Sequence, residues 1–117
     1  MRRCIIARLT EQALFILASL AQGELHGYGV ARDVEELSDG QVILTAGTLY
    51  GALNRLAEEG LIAQTRERLV EGRRRRYYRL TSAGQAALAE EAKRLRSTAA
   101  AVSARSAIRP GRRPRPA

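Results

Sequence analysis

The order of periodicities along the chain predicts a mainly α fold with a small β-hairpin, a winged helix-turn-helix followed by an extra C-terminal helix. Three observations carry that expectation. Three short stretches with helical apolar spacing come first, closed by Gly23, Gly40 and Gly60. Two strand-like runs around Glu71-Gly72 follow. A heptad-like seam of Leu88, Ala92, Leu95, Ala99 and Val102 then runs through the last helix.

At 117 residues the chain is long enough for one domain and an appendage. Its hydrophobes are chiefly Ala, Leu, Val and Ile, with one Phe and no Trp. That suits a modest helical core supplemented by burial in an oligomer. The formal charge is +8, but residues 105–117 hold five arginines and no acid. Residues 1–104 keep 15 basic and 12 acidic side chains, a net of +3, so bulk charge alone is no argument for nucleic-acid binding.

Composition also sets exclusions. A lone Cys4 rules out an internal disulfide and a multi-cysteine metal cluster; it reads as a plain N-terminal thiol. Arg8 cuts short the apolar run that follows Arg2-Arg3, and no run approaches ~20 residues, so neither a signal peptide nor a membrane span is expected and the chain reads as cytoplasmic. With one histidine there is no histidine–nucleophile pair and no histidine metal site. Glu58-Glu59 and Glu90-Glu91 are adjacent on helices and point apart. The expectation is no catalytic residue, no metal and no cofactor.

Taken in order, residues 1–9 are a disordered lead or the start of the first helix. From Thr10 the helical pattern is firm, with Glu11 in the first turn, where a carboxylate suits the helix dipole. Ala13 to Ala21 is apolar around most of its circumference, so this helix lies at the centre of the fold or shares a face with a second subunit. Glu24 to Gly29 is a turn with His26 as a turn or cap residue, leading into a helix over 27–38 whose inward stripe is Val30, Val34 and Leu37. Gln41 to Leu44 is a candidate minor strand.

The third helix spans 45–60, with Thr45 as N-cap, Gly60 as the left-handed stop, and Leu49, Leu53 and Leu56 as its core stripe. Thr48, Tyr50, Gly51, Asn54 and Arg55 fall away from that stripe. A surface of hydroxyl, amide and guanidinium groups offers hydrogen bonds rather than mere solvation, and suggests a helix that reads DNA. The hairpin pairs residues 61–66 with 74–81, with Tyr78 and Leu80 turned to the core and Tyr77 and Arg79 outward. Thr81 caps the last helix, 82–104, and the Arg/Pro-rich residues 105–117 are expected to be disordered. The organisation is thus a winged helix-turn-helix over 1–81, an extra helix over 82–104 that suits close packing against a neighbour, and a tail.

These residues resemble the PadR-like transcriptional regulators. The resemblance rests on Leu25-His26-Gly27-Tyr28-Gly29, Gly47-Thr48-Leu49-Tyr50-Gly51-Ala52-Leu53, Leu56 through Gly60-Leu61-Ile62, and Arg76-Tyr77-Tyr78-Arg79-Leu80-Thr81 with Gly84. It covers about residues 9–96. It implies a bacterial homodimer, usually a repressor, that sets a winged helix on pseudo-palindromic double-stranded operator DNA. In such proteins the helix after the wing supplies most of the dimer contacts, with help from the first helix, which would make 1–81 the DNA-binding domain and 82–104 the dimerisation helix. Many relatives carry proline where this chain has Gly51, and some stack a flat ligand on tryptophan, which this chain lacks.

The expected DNA-binding residues are accordingly Thr48, Tyr50, Gly51, Asn54 and Arg55 on the third helix, Tyr28, and wing residues Arg73, Arg74, Arg75 and Arg76. Arg55 suits a guanine edge and Asn54 an adenine edge, while Thr48 and Tyr50 suit phosphate or a thymine methyl. Gly51 would let the backbone approach the duplex. Four adjacent arginines repel one another until phosphates neutralise them. A small apolar or aromatic effector would sit between the first and last helices, against Leu14, Phe15, Ala18, Leu88, Ala92 and Leu95. Two other readings stay open: a winged-helix module for an acidic protein partner, and a basic RNA-binding accessory protein that works through its tail.

Overall fold

A computed structural model describes residues 9–106. Cys4 and residues 107–117 of the Arg/Pro tail lie outside them. Helix α1 (Glu11–Leu20) starts at Thr10, whose hydroxyl accepts from the Ala13 N–H at 3.0 Å. It lies at the centre of the fold, burying Ile16, Leu17 and Leu20 against the helices and sheet around it. Its buried Ser19 is satisfied by donating to the Ile16 carbonyl at 2.8 Å.

Residues 24–29 are more than a turn. Leu25–His26 form a short strand β1, paired antiparallel with Tyr78 and Tyr77. His26 then caps α2 (Gly27–Leu37), its Nδ1 accepting from the Gly29 N–H at 3.1 Å. Val30 and Val34 are fully buried, but Leu37, expected inward, is 48% exposed. The helix closes there: Asp39 takes a left-handed φ of 54°, its N–H and that of Gly40 returning to the Glu36 and Glu35 carbonyls. Leu37 is left on the last turn, beyond the edge of the core.

Gln41 to Leu44 is not a strand. Its alternation is real, with Val42 and Leu44 buried and Ile43 65% exposed, but no strand lies beside it. The Ser38 hydroxyl takes that place, accepting from the Val42 N–H at 2.9 Å. Helix α3 (Ala46–Glu58) follows, anchored by Leu49, Leu53 and Leu56. Gly60, at φ 79°, ends it as expected: its N–H reaches Ala57 and the N–H of Leu61 reaches Leu56, each at 3.0 Å. Thr45 stands at the N-cap without doing the expected work. Its hydroxyl donates to the Thr48 hydroxyl at 3.2 Å and makes no bond to the helix backbone.

Strands β2 (Ile62–Val70) and β3 (Arg73–Leu80) meet at a two-residue loop in which Glu71 and Gly72 both have positive φ, the geometry of a type I′ turn. The sheet order is β1-β3-β2. The expected hairpin therefore gains a third strand, and β2 runs beyond the expected 61–66. Ile62 and Tyr78 are buried on its inner face.

Thr81 joins three elements. Its hydroxyl accepts from the Gly84 N–H at 3.0 Å, starting α4 (Ser82–Ser106), and donates to the Gly60 carbonyl at 2.6 Å, while its own N–H reaches Leu61. The contact is so close that a Cβ on Gly84 would stand 2.0 Å from the Leu61 carbonyl oxygen, so no other residue fits there. Helix α4 continues to Ser106, two residues past its expected end and into the stretch expected to be disordered. Only Gly84 and Glu91 of this helix are buried, and its later turns stand away from the core.

Candidate nucleic-acid interface

Two surfaces carry the expected site residues. The first is the outer face of α3. With Leu49, Leu53 and Leu56 turned inward, Thr48, Gly51, Asn54 and Arg55 are all exposed. Arg55 has no acidic partner among the described residues. The Thr45 side chain makes no bond to the helix backbone, so the first backbone N–H groups of α3 also keep no side-chain cap.

Tyr50 lies at the margin of this face, 38% exposed. Its ring covers Gly27, the first residue of α2, so closely that a Cβ there would meet its hydroxyl at 2.7 Å. The ring thus fixes the start of α2 against α3. Tyr28, one residue on, is 62% exposed and stacks parallel to the His26 ring at 6.4 Å.

The second surface is the wing, the two-stranded end of β2 and β3 beyond the point where β1 stops pairing. Its arginines are not equivalent. Arg74 and Arg76 share one face with Glu67 and pair with it at 3.6 and 3.5 Å. Arg68, Arg73 and Arg75 lie on the other, following the pairs Arg68↔Arg75 and Val70↔Arg73. Arg68 and Arg73 have no acidic partner among the described residues. The exposed ion pairs are each worth no more than about 1 kcal/mol and can be exchanged for phosphate.

Arg75 is half-buried, its Nη1 3.1 Å from His26 Nε2. A neutral imidazole has one acceptor nitrogen, so the ring cannot accept from both Gly29 and Arg75. Burial, and then the Arg75 charge, push the His26 pKa below its ordinary value and keep the ring neutral. Tyr77 meets His26 edge-on at 5.5 Å and lies 4.5 Å beneath the Arg66 guanidinium. Arg66 pairs in turn with Glu24 at 3.0 Å, and Thr65 donates to the same carboxylate. The Thr65 hydroxyl, and after it Arg66, hold that carboxyl below its usual range against the opposing effect of desolvation. The cluster ties the base of the wing to the start of α2. Tyr77 is therefore enclosed by its own chain, whereas Tyr78 is core, its pKa raised by burial.

Reading the sequence missed His26 as the hub of this cluster, and missed Arg66 and Arg68 as wing cations. The alternation of Arg66 and Arg68 along β2 was the available signal; the Thr65 bulge that sets their partners was not.

The six expected effector-site residues sit at the rim of the core rather than deep in it. Leu14, Phe15, Ala18, Leu88 and Ala92 are half-buried, and Leu95 is 39% exposed. Phe15 and Leu88 already pack against the core. Among the described residues no helix is long and apolar enough to cross a membrane, and no cluster of metal-ligating side chains occurs.

Residues 16–90 match the model of the Transcriptional regulator PadR-like family. Transcriptional regulator Rv3488 of Mycobacterium tuberculosis is 42% identical over 86 residues, which span 74% of this chain and 77% of that protein. The chain belongs to the PadR-like family of transcriptional regulators. The fold of a PadR family transcription regulator from Clostridium difficile superposes with a TM-score of 0.68 at 26% identity, covering 82% of this chain and 97% of the other. Bacillus subtilis PadR, solved in complex with operator DNA, gives a TM-score of 0.59 at 26% identity, over 67% of this chain and 44% of the longer one. The PadR-like fold thus accounts for the three-helix core, the wing and the helix that follows it.

Proposed function

We propose that this PadR-like chain is a homodimeric, sequence-specific DNA-binding regulator that represses by covering a promoter. The observation that carries the reading is the outer face of α3: Thr48, Gly51, Asn54 and Arg55 stand exposed on a helix held by three buried leucines, in a fold shared with Bacillus subtilis PadR, which was solved on its operator. Asn54 and Arg55 read base edges in the major groove, each contributing ~1–3 kcal/mol of discrimination. Gly51 brings the backbone close to the duplex. The uncapped start of α3, with Thr48, takes a phosphate, and Tyr50 holds α2 at the angle this requires.

Arg73 and Arg75, with Arg68, supply sequence-independent attraction, and Arg74 and Arg76 join them by releasing Glu67. Tyr28 lies exposed at the start of α2, where a second phosphate would dock. A second copy covers the exposed seam of α4, where Leu95 and Val102 lie open, and sets the two α3 helices about one turn (~34 Å) apart on a pseudo-palindrome. A small apolar or aromatic effector between α1 and α4 would change that spacing, binding one dimer angle better than the other.

The test is selection of duplexes from a random pool with the full chain. Enrichment of a palindrome with half-sites one turn apart is expected. Asn54→Ala and Arg55→Ala should each relax one base position per half-site and leave the others in place. A pool that enriches no palindrome would refute the reading.

A further inference from the structure

Leu69 is 75% exposed, the most exposed large hydrophobic side chain among the described residues. It lies one residue from the Glu71-Gly72 turn, where the ribbon is two strands wide and nothing covers it. Its cross-strand partner is Arg74, and Arg68 precedes it. The neighbouring pairs place Arg73 and Arg75 on the opposite face. A strand position open to water has no packing need for leucine, and an isolated exposed leucine by itself signifies nothing. Here the surroundings are specific: one branched apolar side chain near the end of a type I′ ribbon, with Arg74 and Arg76 beside Glu67 on its own face and Arg68, Arg73 and Arg75 on the other.

We infer that Leu69 is a specificity-determining wedge: it enters the minor groove at the wing's contact and selects a flexible pyrimidine–purine step there. The inference rests on the DNA-binding reading above and extends it to a position that α3 does not touch. Paired strands lie about 4.8 Å apart, so with side chains a ribbon is too broad to lie in a groove of about 6 Å. Only the tip can enter. Its arginines are attracted to the walls, where the phosphates of both strands converge, and they carry the apolar side chain to the base edges. Leucine offers the floor no hydrogen bond and gains by leaving water, which it does best by parting two stacked pairs. That opening costs least at TA and CA/TG steps, so a preference arises without any base-specific hydrogen bond.

The experiment uses the full chain on its selected palindrome, with each step flanking the half-sites changed in turn and with 2-aminopurine placed at the preferred one. Wild-type protein should favour a pyrimidine–purine step and raise the fluorescence of the unstacked analogue. Leu69→Ala, which disturbs no buried contact, should lose about tenfold in affinity on that step, little on a stiff one, and leave the fluorescence low. Leu69→Arg separates wedge from charge: it should bind all duplexes more tightly yet show no step preference. Equal step preference in wild type and Leu69→Ala would overturn the inference while leaving the palindrome, and so the DNA-binding reading, intact. A pool without any enriched palindrome would bring down both.

Discussion

Helix α3 and the wing both present polar groups to solvent but are built in opposite ways. The helix is sparse in charge and rich in anchorage. Leu49, Leu53 and Leu56 are buried, Gly60 and Leu61 close its end, and Thr81 straps that end to α4. The wing is rich in charge and poor in anchorage, with six arginines over residues 66–76 and almost no buried side chain. Hydrogen bonds that discriminate between bases need donors held within a few tenths of an ångström, whereas attraction to phosphate tolerates motion. On the proposed reading, the difference teaches where each property resides: base-edge hydrogen bonding in the part fixed by the core, and phosphate attraction, with the step preference inferred for Leu69, in the part fixed only by its backbone ladder.

The harshest way to break the comparison is to loosen the anchored half. Leu53 is fully buried, and Leu53→Ala should cost ~2–5 kcal/mol, lowering the melting temperature by roughly 10 °C or more and abolishing selective binding with it. The converse experiment spares stability. Replacing Arg68, Arg73 and Arg74 together, and leaving Arg75 beside His26, should leave the melting temperature almost unmoved, lower affinity alike for all duplexes, and flatten the slope of log K against log salt by about 2–3. An unchanged slope would remove the wing from the interface, and a large loss of stability would show that the two halves are not separately built.

Between the halves sits His26, which belongs to both. Its ring caps α2 through Gly29 and faces Arg75 of the wing. Folding makes the imidazole harder to protonate, through burial first and the Arg75 charge second, with Tyr28 and Tyr77 also packed on it and Arg66, neutralised by Glu24, above Tyr77. In the pH window set by a lowered pKa, the unfolded chain binds the proton more readily than the folded one. The ring's contribution to stability is therefore complete above its ordinary value of 6.5 and is lost as the pH falls from there toward the lower folded value. His26→Asn keeps a capping oxygen for Gly29 and should flatten the dependence of melting temperature on pH in that window. Glu24, whose pKa is also lowered, acts in a separate one: its contribution is present above 4.5 and lost below. Melting curves that keep their slope between pH 5 and 7 in the variant would place the titration elsewhere.

The anchored half was the legible half. Apolar spacing alone located α1, α2, α3 and α4, and local backbone chemistry located Gly60, the cap at Thr81 and the turn at Glu71-Gly72. Tyr78 was rightly read as core from strand parity. What was not legible depends on partners distant in the chain. β1 has two residues and exists only because Leu25 meets Tyr78. The Gln41 to Leu44 alternation is that of a strand, yet no edge is in reach. Thr45 has a good capping residue's chemistry, but its hydroxyl is placed toward Thr48 and out of reach of the helix N–H groups. In the wing, four consecutive arginines looked alike. The Thr65 bulge shifts the register so that Glu67 faces Arg76, the pairing of His26 with Tyr77 brings Arg75 to His26, and no periodicity announces either.

The smallest expected effect concerns the turn on which the wing depends. A type I′ loop needs positive φ at both central residues, and Glu71 adopts 52° with a side chain that gains nothing from it. Asparagine tolerates the left-handed region better, so Glu71→Asn should stabilise the ribbon by up to about 1 kcal/mol, visible as slower amide exchange at Leu69 and Val70 rather than as a large rise in melting temperature. The same change removes a negative charge near the arginines, so affinity should rise slightly on every duplex. Glu71→Gln removes the charge without relieving the backbone and keeps the two causes apart. If both variants bind alike while only Glu71→Asn slows exchange, the wing acts through charge and its stiffness is incidental. If Glu71→Asn alone sharpens the preference for a flanking step, stiffness at the tip contributes to selectivity, and the division between an anchored reader and a loosely held attractor is less complete than the burial pattern suggests.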